Sequence, residues 1–441
     1  MFTTKPFKFA VAALLVFSLT VIVRAESPES SMGRSPDYRE LRLFRQVMRI
    51  VQKNYVKEVG DKELIQGAIN GMLQSLDPHS SYLTEDLFKE LQVETKGEFG
   101  GLGIEITLDG GVLTIVSPIE DTPAYKAGLK PGDKIIKIDG ESTKSITLLK
   151  AVKKMRGPKG TKVTLTVMRE GFKKFKDYVI QRDIIHVDSV RKQLVEEGYP
   201  YIKIRNFQES TETDLKTSID EFGGDKGIKG LILDLRNNPG GLLDQAVKVS
   251  NLFIDKGLIV YTDGRSKDQR MEFRATKGGK HYNFRLAVLI NEGSASASEI
   301  VAGAVQDHNR GLVIGTKSFG KASVQTIIPL ENGSGLRLTT AYYYTPNGRH
   351  IQKTGIIPDD DLKKEVEQQQ EAELKEEQNN KDKKNLNRFD KKKVEPDKDV
   401  AVADALKWLK SDESVEKYKM DHQKPVQDTA SDVKDDKTET D

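Results

Sequence analysis

Three serines, Ser294, Ser296 and Ser298, stand between an apolar run, Leu286 to Ile290, and a helical pattern that ends near Val305. A buried strand that turns into a helix at a serine sets the hydroxyl beside the free N–H groups and partial positive charge of the helix start. An alkoxide or oxyanion is favoured there. Serines at such places also serve simply as helix caps, and on this segment alone both readings stand. A second segment runs from Thr316 to Gln325 and continues into Thr326-Ile327-Ile328-Pro329-Leu330. Read as a strand, its period of two places Lys321, Ser323 and Gln325 on one face and Val324 on the other, so one strand presents an amine and an amide together. An amine is a general base only when neutral. From a reference pKa near 10.4, about one lysine in 2,500 is uncharged at pH 7, and reaching 7 takes a shift of about 3.4 units, or ~4.6 kcal/mol. Burial without a carboxylate partner supplies such a shift. Lys321 sits among Phe319, Gly320, Ala322 and Val324 with no acid nearby in sequence, which suits that burial.

Rival chemistries meet specific obstacles. Gly315-Thr316-Lys317-Ser318-Phe319-Gly320-Lys321-Ala322 nearly spells a phosphate-binding loop, but Ala322 occupies the place of the magnesium-binding hydroxyl, and a strand pattern follows where a helix is required. A Ser-His-Asp triad would draw on His308 or His350. No Gly-x-Ser-x-Gly surrounds Ser296, and both histidines fall in loop or edge patterns. With no cysteine among 441 residues there is no disulfide framework, Cys-based zinc site or thiol nucleophile. No metal site and no cofactor is expected. Seventy basic against 67 acidic side chains leave a net charge of +3, too balanced for a general nucleic-acid binder.

The elements that must position these residues follow from composition, 37% apolar and 31% charged. Lys5 and Lys8 precede an apolar run, Phe9 to Val23, and then Val23-Arg24-Ala25. That run is shorter than the roughly 20 residues of a spanning helix and fits a signal peptide cleaved after Ala25; left uncleaved it would be a short anchor. Leu41, Phe44, Val47, Met48 and Val51, then Leu64, Ile65, Ala68, Ile69, Met72 and Leu73, recur at helical spacing, and Asp77-Pro78 breaks the second pattern. Short β-rich runs follow. There, Gly100-Gly101-Leu102-Gly103-Ile104 leads a glycine-rich turn into an alternating strand, so consecutive N–H groups can face one carboxylate while Leu102 and Ile104 wall an apolar pocket. Ala127 to Asp133, the apolar Ile135, Ile136 and Ile138, an amphipathic helix from Ser145 to Arg156 and the strand Val163 to Met168 complete an ordered set. The set resembles a PDZ domain, which captures peptide C-termini by strand addition beside a helix. Beyond it, runs such as Gly230 to Leu235 alternate with helical patterns, as in an α/β core, and the last eighty or so residues are charged, with Val400 to Leu409 as an amphipathic patch.

Taken in order, Gly71 to Ser80, the PDZ-like segment, Asp234-Leu235-Arg236-Asn237-Asn238-Pro239-Gly240-Gly241, the serine run, Gly320 to Gln325 and Tyr343 to Arg349 resemble the C-terminal-processing, or tail-specific, proteases. These are Ser-Lys peptidases with an embedded PDZ domain. The resemblance covers about Tyr38 to Asp359 and, together with the composition of the two ends, gives a multidomain α/β and β chain: signal peptide or short anchor at 1–25, N-terminal helical region at 36–94, PDZ domain at 95–183, mixed α/β protease core at 184–360, and a charged tail at 361–441 with a docking helix near 399–410. It implies Ser296 as nucleophile, Lys321 as general base and Gln325 as the residue that orients the base. Ala322 departs from the usual glycine and leaves all three positions filled. It further implies an oxyanion site between the Ala297 N–H and one from the Gly240-Gly241 turn, with Asp234 and Arg236 fixing that turn and Glu299 supporting the serine loop. Tail binding would fall to Gly101, Leu102, Gly103 and Ile104, and Arg156 would relay it to the protease core. The function expected is an exported, periplasmic serine endopeptidase that cuts proteins recognised by accessible C-termini; the alternative is a catalytically silent PDZ adaptor. Expected partners are substrate tails, an activating adaptor or lipoprotein, and further copies of the chain, with the N-terminal helices and the helix near Trp408 as assembly surfaces.

Overall fold

The structure, a computed structural model, describes residues 36–266, 270–276, 279, 281–362, 364–369, 394–412 and 416. The signal segment expected at 1–25, and most of the charged tail, lie outside the described residues. Among the described residues no helix is long and apolar enough to cross a membrane. The chain divides into two compact units, 1–72 and 73–441. The first carries α1 (Pro36–Asn54) and most of α2 (Asp61–Gln74). The apolar stripe legible in the sequence of α1 leaves Leu41, Phe44, Val47 and Ile50 exposed.

The second unit opens with β1 (Ser81–Leu83), α3 (Glu85–Lys96) and β2 (Glu98–Gly101). Its first sheet is built from β3 (Ile104–Asp109), β4 (Val112–Pro118), β5 (Lys134–Ile138), β6 (Glu141–Ser142), β7 (Lys162–Met168) and β8 (Lys176–Gln181). The short α4 (Pro123–Lys126) and α5 (Leu148–Met155) pack on it. Leu113, Ile115, Ile135, Ile138, Val163, Leu165 and Val167 fill one core, which is why those runs alternate. The helix expected from Ser145 starts only at Leu148. Ser145 sits at φ 61°, outside helical space, and Thr147 caps the helix by accepting the Lys150 N–H at 3.3 Å. β9 (Asp183–His186) then pairs antiparallel with β2, so the chain enters and leaves this module at one place.

The remainder forms two further sheets. In chain order come β10 (Val190–Glu196), β11 (Tyr199–Ile204), α6 (Thr211–Glu221), α7 (Gly224–Gly227), β12 (Gly230–Asp234), α8 (Leu243–Asn251), β13 (Leu258–Gly264) and β14 (Met271–Arg274). After them come β15 (Arg285–Ile290), α9 (Ala297–Asp307), β16 (Leu312–Gly315), β17 (Ser323–Pro329), β18 (Gly335–Tyr344), β19 (Asp360–Asp361) and α10 (Val400–Lys410). The larger sheet runs β10-β11-β12-β15-β16-β19 and is parallel apart from β10. Its strands are apolar on both faces because both are covered. Leu231, Leu233, Leu286, Val288 and Val313 point to the core shared with α8 and α9. Their neighbours Ile232, Ala287, Leu289, Leu312 and Ile314 meet Ala401, Val402, Ala405 and Leu409 of α10. The expected docking helix therefore docks on its own chain, as a layer of the α/β sandwich. The smaller sheet joins β1, β18, β13 and β14, with β17 paired to β18.

Candidate active site

The serine loop connects the C-terminal end of β15 to the first turn of α9. Two of its serines are fasteners. Ser294 Oγ accepts the Asn291 N–H at 2.9 Å and donates to the Leu235 carbonyl at 2.8 Å, while Ser298 Oγ donates to the Asn238 carbonyl at 2.9 Å; both residues are fully buried. Ser296 differs: it is only half-buried and holds φ 54°, ψ −113° immediately before the helix. A non-glycine residue there carries about 1–3 kcal/mol of backbone strain, the kind stored at sharp nucleophile elbows. The elbow exists without the Gly-x-Ser-x-Gly pattern because neighbouring hydrogen bonds impose it.

Gly240 shows how close the facing turn comes. A methyl group on Gly240 would lie 2.8 Å from the Ala295 carbonyl oxygen, 2.8 Å from Ser296 Cβ and 3.0 Å from the Ala297 nitrogen, and φ is 106°. Asn238 anchors this turn through Nδ2 to the Ile204 carbonyl at 3.0 Å, and its own carbonyl accepts the Ala295 N–H at 3.0 Å. It also takes the Gly240 N–H on Oδ1 at 2.9 Å. Gly240 thus supplies the close approach to the serine loop while its own N–H is committed to Asn238. Ala297 is the first residue of α9, where helix N–H groups lack intrahelical acceptors.

Lys321 lies in the loop before β17, not within the strand, and the β17–β18 register slips between Val324 and Gln325. The strict alternation expected for Lys321, Ser323 and Gln325 is therefore broken by a bulge. Gln325 Nε2 is buried with no partner within the protein. Burial, then the Arg337 guanidinium, push the Lys321 ammonium below its ordinary pKa, against an opposing pull from Glu299.

Glu299 joins the two halves. It is fully buried. Its Oε2 accepts the backbone N–H of Ser296 at 2.8 Å and that of Lys321 at 2.9 Å, so the two backbones lie no farther apart than those distances together allow. Oε1 accepts Ser318 Oγ at 2.5 Å and the Gly320 N–H at 2.7 Å. Burial pushes the carboxyl above its usual range, while these donors pull it back. The Tyr343 hydroxyl, buried against the same carboxylate, donates to the Lys321 carbonyl and lies 3.1 Å from the Ser296 carbonyl. Sequence reasoning gave Glu299 a supporting place at the serine loop but missed its grip on the lysine loop, and gave Tyr343 no role. Nothing local to either residue signals a contact made across the fold.

Other expected residues fall into place or apart. His308 Nε2 faces the Leu258 carbonyl at 2.6 Å, at the far end of α9, about 18 Å from Ser296 by helix rise. His350 packs edge-on against Tyr342. Neither forms a triad with Ser296. The near-phosphate-loop runs into β17, so no helix opens there. Asp234 is fully buried. Burial would raise its carboxyl, but the Arg236 guanidinium, Lys203 and Tyr201 hold it below the usual range. In the β-rich module, Leu102 is a core residue at 2% exposure rather than a pocket wall, while Ile104 is half-buried on β3, beside α5. Gly103, at φ 76°, passes against Thr122, and Gly101 ends β2. Arg156 pairs with Glu90 of α3 at 2.8 Å and covers the Phe99 ring at 4.6 Å.

Comparison with known proteins agrees with this build. The model of peptidase family S41 matches residues 198–362, the PDZ domain model 90–168, and the model of the activating protease CtpB N-terminal domain 16–87. The carboxy-terminal-processing protease of Bartonella bacilliformis is 50% identical over 355 residues, 80% of this chain and 81% of that one. The carboxy-terminal processing protease CtpA of Bacillus subtilis is 37% identical over 354 residues, 79% and 74% of the two chains. A solved photosystem II D1 C-terminal processing protease is 28% identical and covers 76% of this chain and 89% of its own, with a TM-score of 0.44. A PDZ module leading into an α/β core of this kind defines a modular serine-type peptidase. The chain belongs to the carboxy-terminal-processing proteases of peptidase family S41.

Proposed function

We propose that Ser296 is the nucleophile and Lys321 the general base of an endopeptidase that selects proteins by their C-terminal tails. The single observation that carries this is the buried Glu299 carboxylate, which gathers the backbones of Ser296 and Lys321 onto one oxygen. Neutral Lys321 Nζ takes the proton of Ser296 Oγ as the oxygen bonds to the peptide carbonyl carbon. The tetrahedral oxyanion rests on the Ala297 and Gly241 N–H groups, and losing such a donor costs about two to three orders of magnitude in rate. The lysine returns the proton to the leaving amine. It then draws a proton from water as the water oxygen bonds to the acyl carbon, and gives that proton to Ser296 Oγ as the acid product leaves. Gln325 orients the amine when its amide swings toward it.

The groove between β3 and α5 takes the tail, with the N–H groups of Gly101, Leu102, Gly103 and Ile104 receiving the terminal carboxylate. Arg156, tied to α3, reports tail binding to the core. Unstructured, apolar tails are the substrate class. The N-terminal segment directs the enzyme to the periplasm, cleaved or held at the inner membrane. The exposed apolar face of α1 serves assembly with a second copy, and an adaptor or lipoprotein is the further partner class. Incubation with casein tests the chemistry: wild type cleaves, and Ser296→Ala and Lys321→Ala each abolish cleavage while a tail peptide still binds. A wild type that binds tails and cuts no unfolded protein, with or without other factors, would leave a silent PDZ adaptor instead.

A further inference from the structure

The C-terminal helix reaches the active-site turn through one side chain. Asp399 is the N-cap of α10: its carboxylate accepts the Val402 N–H at 3.2 Å. The same carboxylate takes Arg236 in a two-point grip, Nη1 to Oδ1 at 2.9 Å and Nη2 to Oδ2 at 2.8 Å. Arg236 turns its other edge to Asp234, with Nε 3.1 Å from both oxygens and Nη2 2.8 Å from Oδ2, and its backbone N–H donates to Asp234 Oδ1 at 2.8 Å. Tyr201 donates to the same Asp234 at 2.6 Å. The guanidinium is thus held between two carboxylates, one from the end of β12 and one from the tail.

Arg236 begins the turn that ends at Gly240 and Gly241. The middle of that turn is fixed from the core side by Asn238; at its entry Ser294 holds the Leu235 carbonyl, Asn291 holds Asn237, and the Asp234–Arg236–Asp399 cluster holds Arg236. We propose that Asp399 is a positioning residue for the oxyanion turn, acting through Arg236, and that the C-terminal helix is part of the catalytic apparatus. This rests on the Ser-Lys reading above. With Asp399 removed, Asp234 still holds one edge of the guanidinium, but Nη1 loses its acceptor. The planar fork, which fixes geometry only while both ends are engaged, can rotate. A displacement well under 1 Å at Gly241 misplaces a donor aimed at a developing charge, so the transition state is affected and substrate binding is not.

Asp399→Ser separates the two duties of this residue, since serine caps helices as well as aspartate but offers Arg236 no carboxylate. In the full-length chain, Asp399→Ser is expected to lower kcat about tenfold on a tail-bearing fluorogenic peptide with KM unchanged, at an assay temperature well below its melting transition. Affinity for a peptide aldehyde, whose adduct places an oxyanion in the site, should fall by the same factor, and affinity for the product peptide should not. Asp399→Glu should recover part of kcat. A wild-type kcat in Asp399→Ser overturns the proposal, as does a loss of kcat that tracks melting temperature in all variants. A wild type that cleaves nothing overturns the Ser-Lys reading and this inference with it; an active wild type beside an unaffected Asp399→Ser overturns the positioning role only.

Discussion

Glu299→Gln is nearly isosteric, and the hydrogen-bond pattern says it cannot be silent. Each carboxylate oxygen faces two donors: Oε2 the N–H groups of Ser296 and Lys321, Oε1 the Ser318 hydroxyl and the Gly320 N–H. An amide must turn its NH2 toward one pair. Facing Ser296 and Lys321 it meets two backbone donors, neither of which can turn away. Facing Ser318 and Gly320 it meets only one fixed donor, because the Ser318 hydroxyl can rotate and accept while still receiving the Ile356 N–H, now at 2.7 Å. The second orientation wins, and the Gly320 N–H is left buried and unpaired at a cost of about 1–3 kcal/mol. The remaining bonds weaken as well, since a carboxylate accepts roughly twice as strongly as a neutral amide. Urea unfolding should register ~2 kcal/mol of lost stability. Casein cleavage should drop at least about tenfold, because the lysine loop relaxes away from the serine elbow. A Glu299→Gln protein within about 0.5 kcal/mol of wild type and equally fast would refute the view that this carboxylate sets the distance between the two loops.

Two further outcomes follow from the charges around the site and the tail. Lys321 titrates low because it is buried and faces Arg337, so kcat/KM should climb as pH rises through its depressed pKa; in Arg337→Gln the midpoint of that limb should move up, by up to about one unit, and an unmoved midpoint would count against Arg337 as a neighbour that matters. Asp360, on the edge strand β19, is pushed up to about 6 by burial and by the Asp404 carboxyl of α10. The folded state therefore holds more protons than the unfolded state from the ordinary 3.8 up to about 6, and stability falls as pH rises through that window and stays lowered above it. Melting curves of Asp360→Asn should lose this slope and exceed wild type at pH 7.5; a slope unchanged from wild type would rule out the pair as its origin.

The fold classes were legible because periodicity is a local signal. The alternation of the β-rich module, the buried runs of β12 and β15 and the amphipathic α10 all appear as patterns within a few residues. So did the types and order of the site residues. What stayed hidden depends on register and on contacts across the chain. The start of β17 only at Ser323, which leaves Lys321 in the preceding loop, and the bulge at Val324 and Gln325 both follow from pairing with β18, and no residue type in the segment marks either. The use of the Gly240 N–H by Asn238 requires knowing how a six-residue turn folds back on itself. The helix at 400–410 looked like a free docking element because the sheet face it covers is contributed by strands far away in sequence.

The two halves of the site are held unequally. Around the elbow, Ser294, Ser298 and Asn238 spend their polar atoms on backbone groups and Asn291 binds both the backbone and the side chain of Asn237, so the strain at Ser296 is over-determined by them. On the base side, Ser323 Oγ and Gln325 Nε2, both on β17, are buried without protein partners. Each such atom costs about 1–3 kcal/mol unless solvent or a second arrangement of the base satisfies it, and either remedy leaves this half less fixed than the elbow. It is also the half in structural continuity with the PDZ module. β18 pairs with β1 through Arg337 and Ser81, β1 leads through Thr84 into α3, and α3 carries the Glu90 that grips Arg156. That route ends on the strand pair that carries Gln325 and Tyr343, and the Tyr343 hydroxyl lies 3.1 Å from the Ser296 carbonyl.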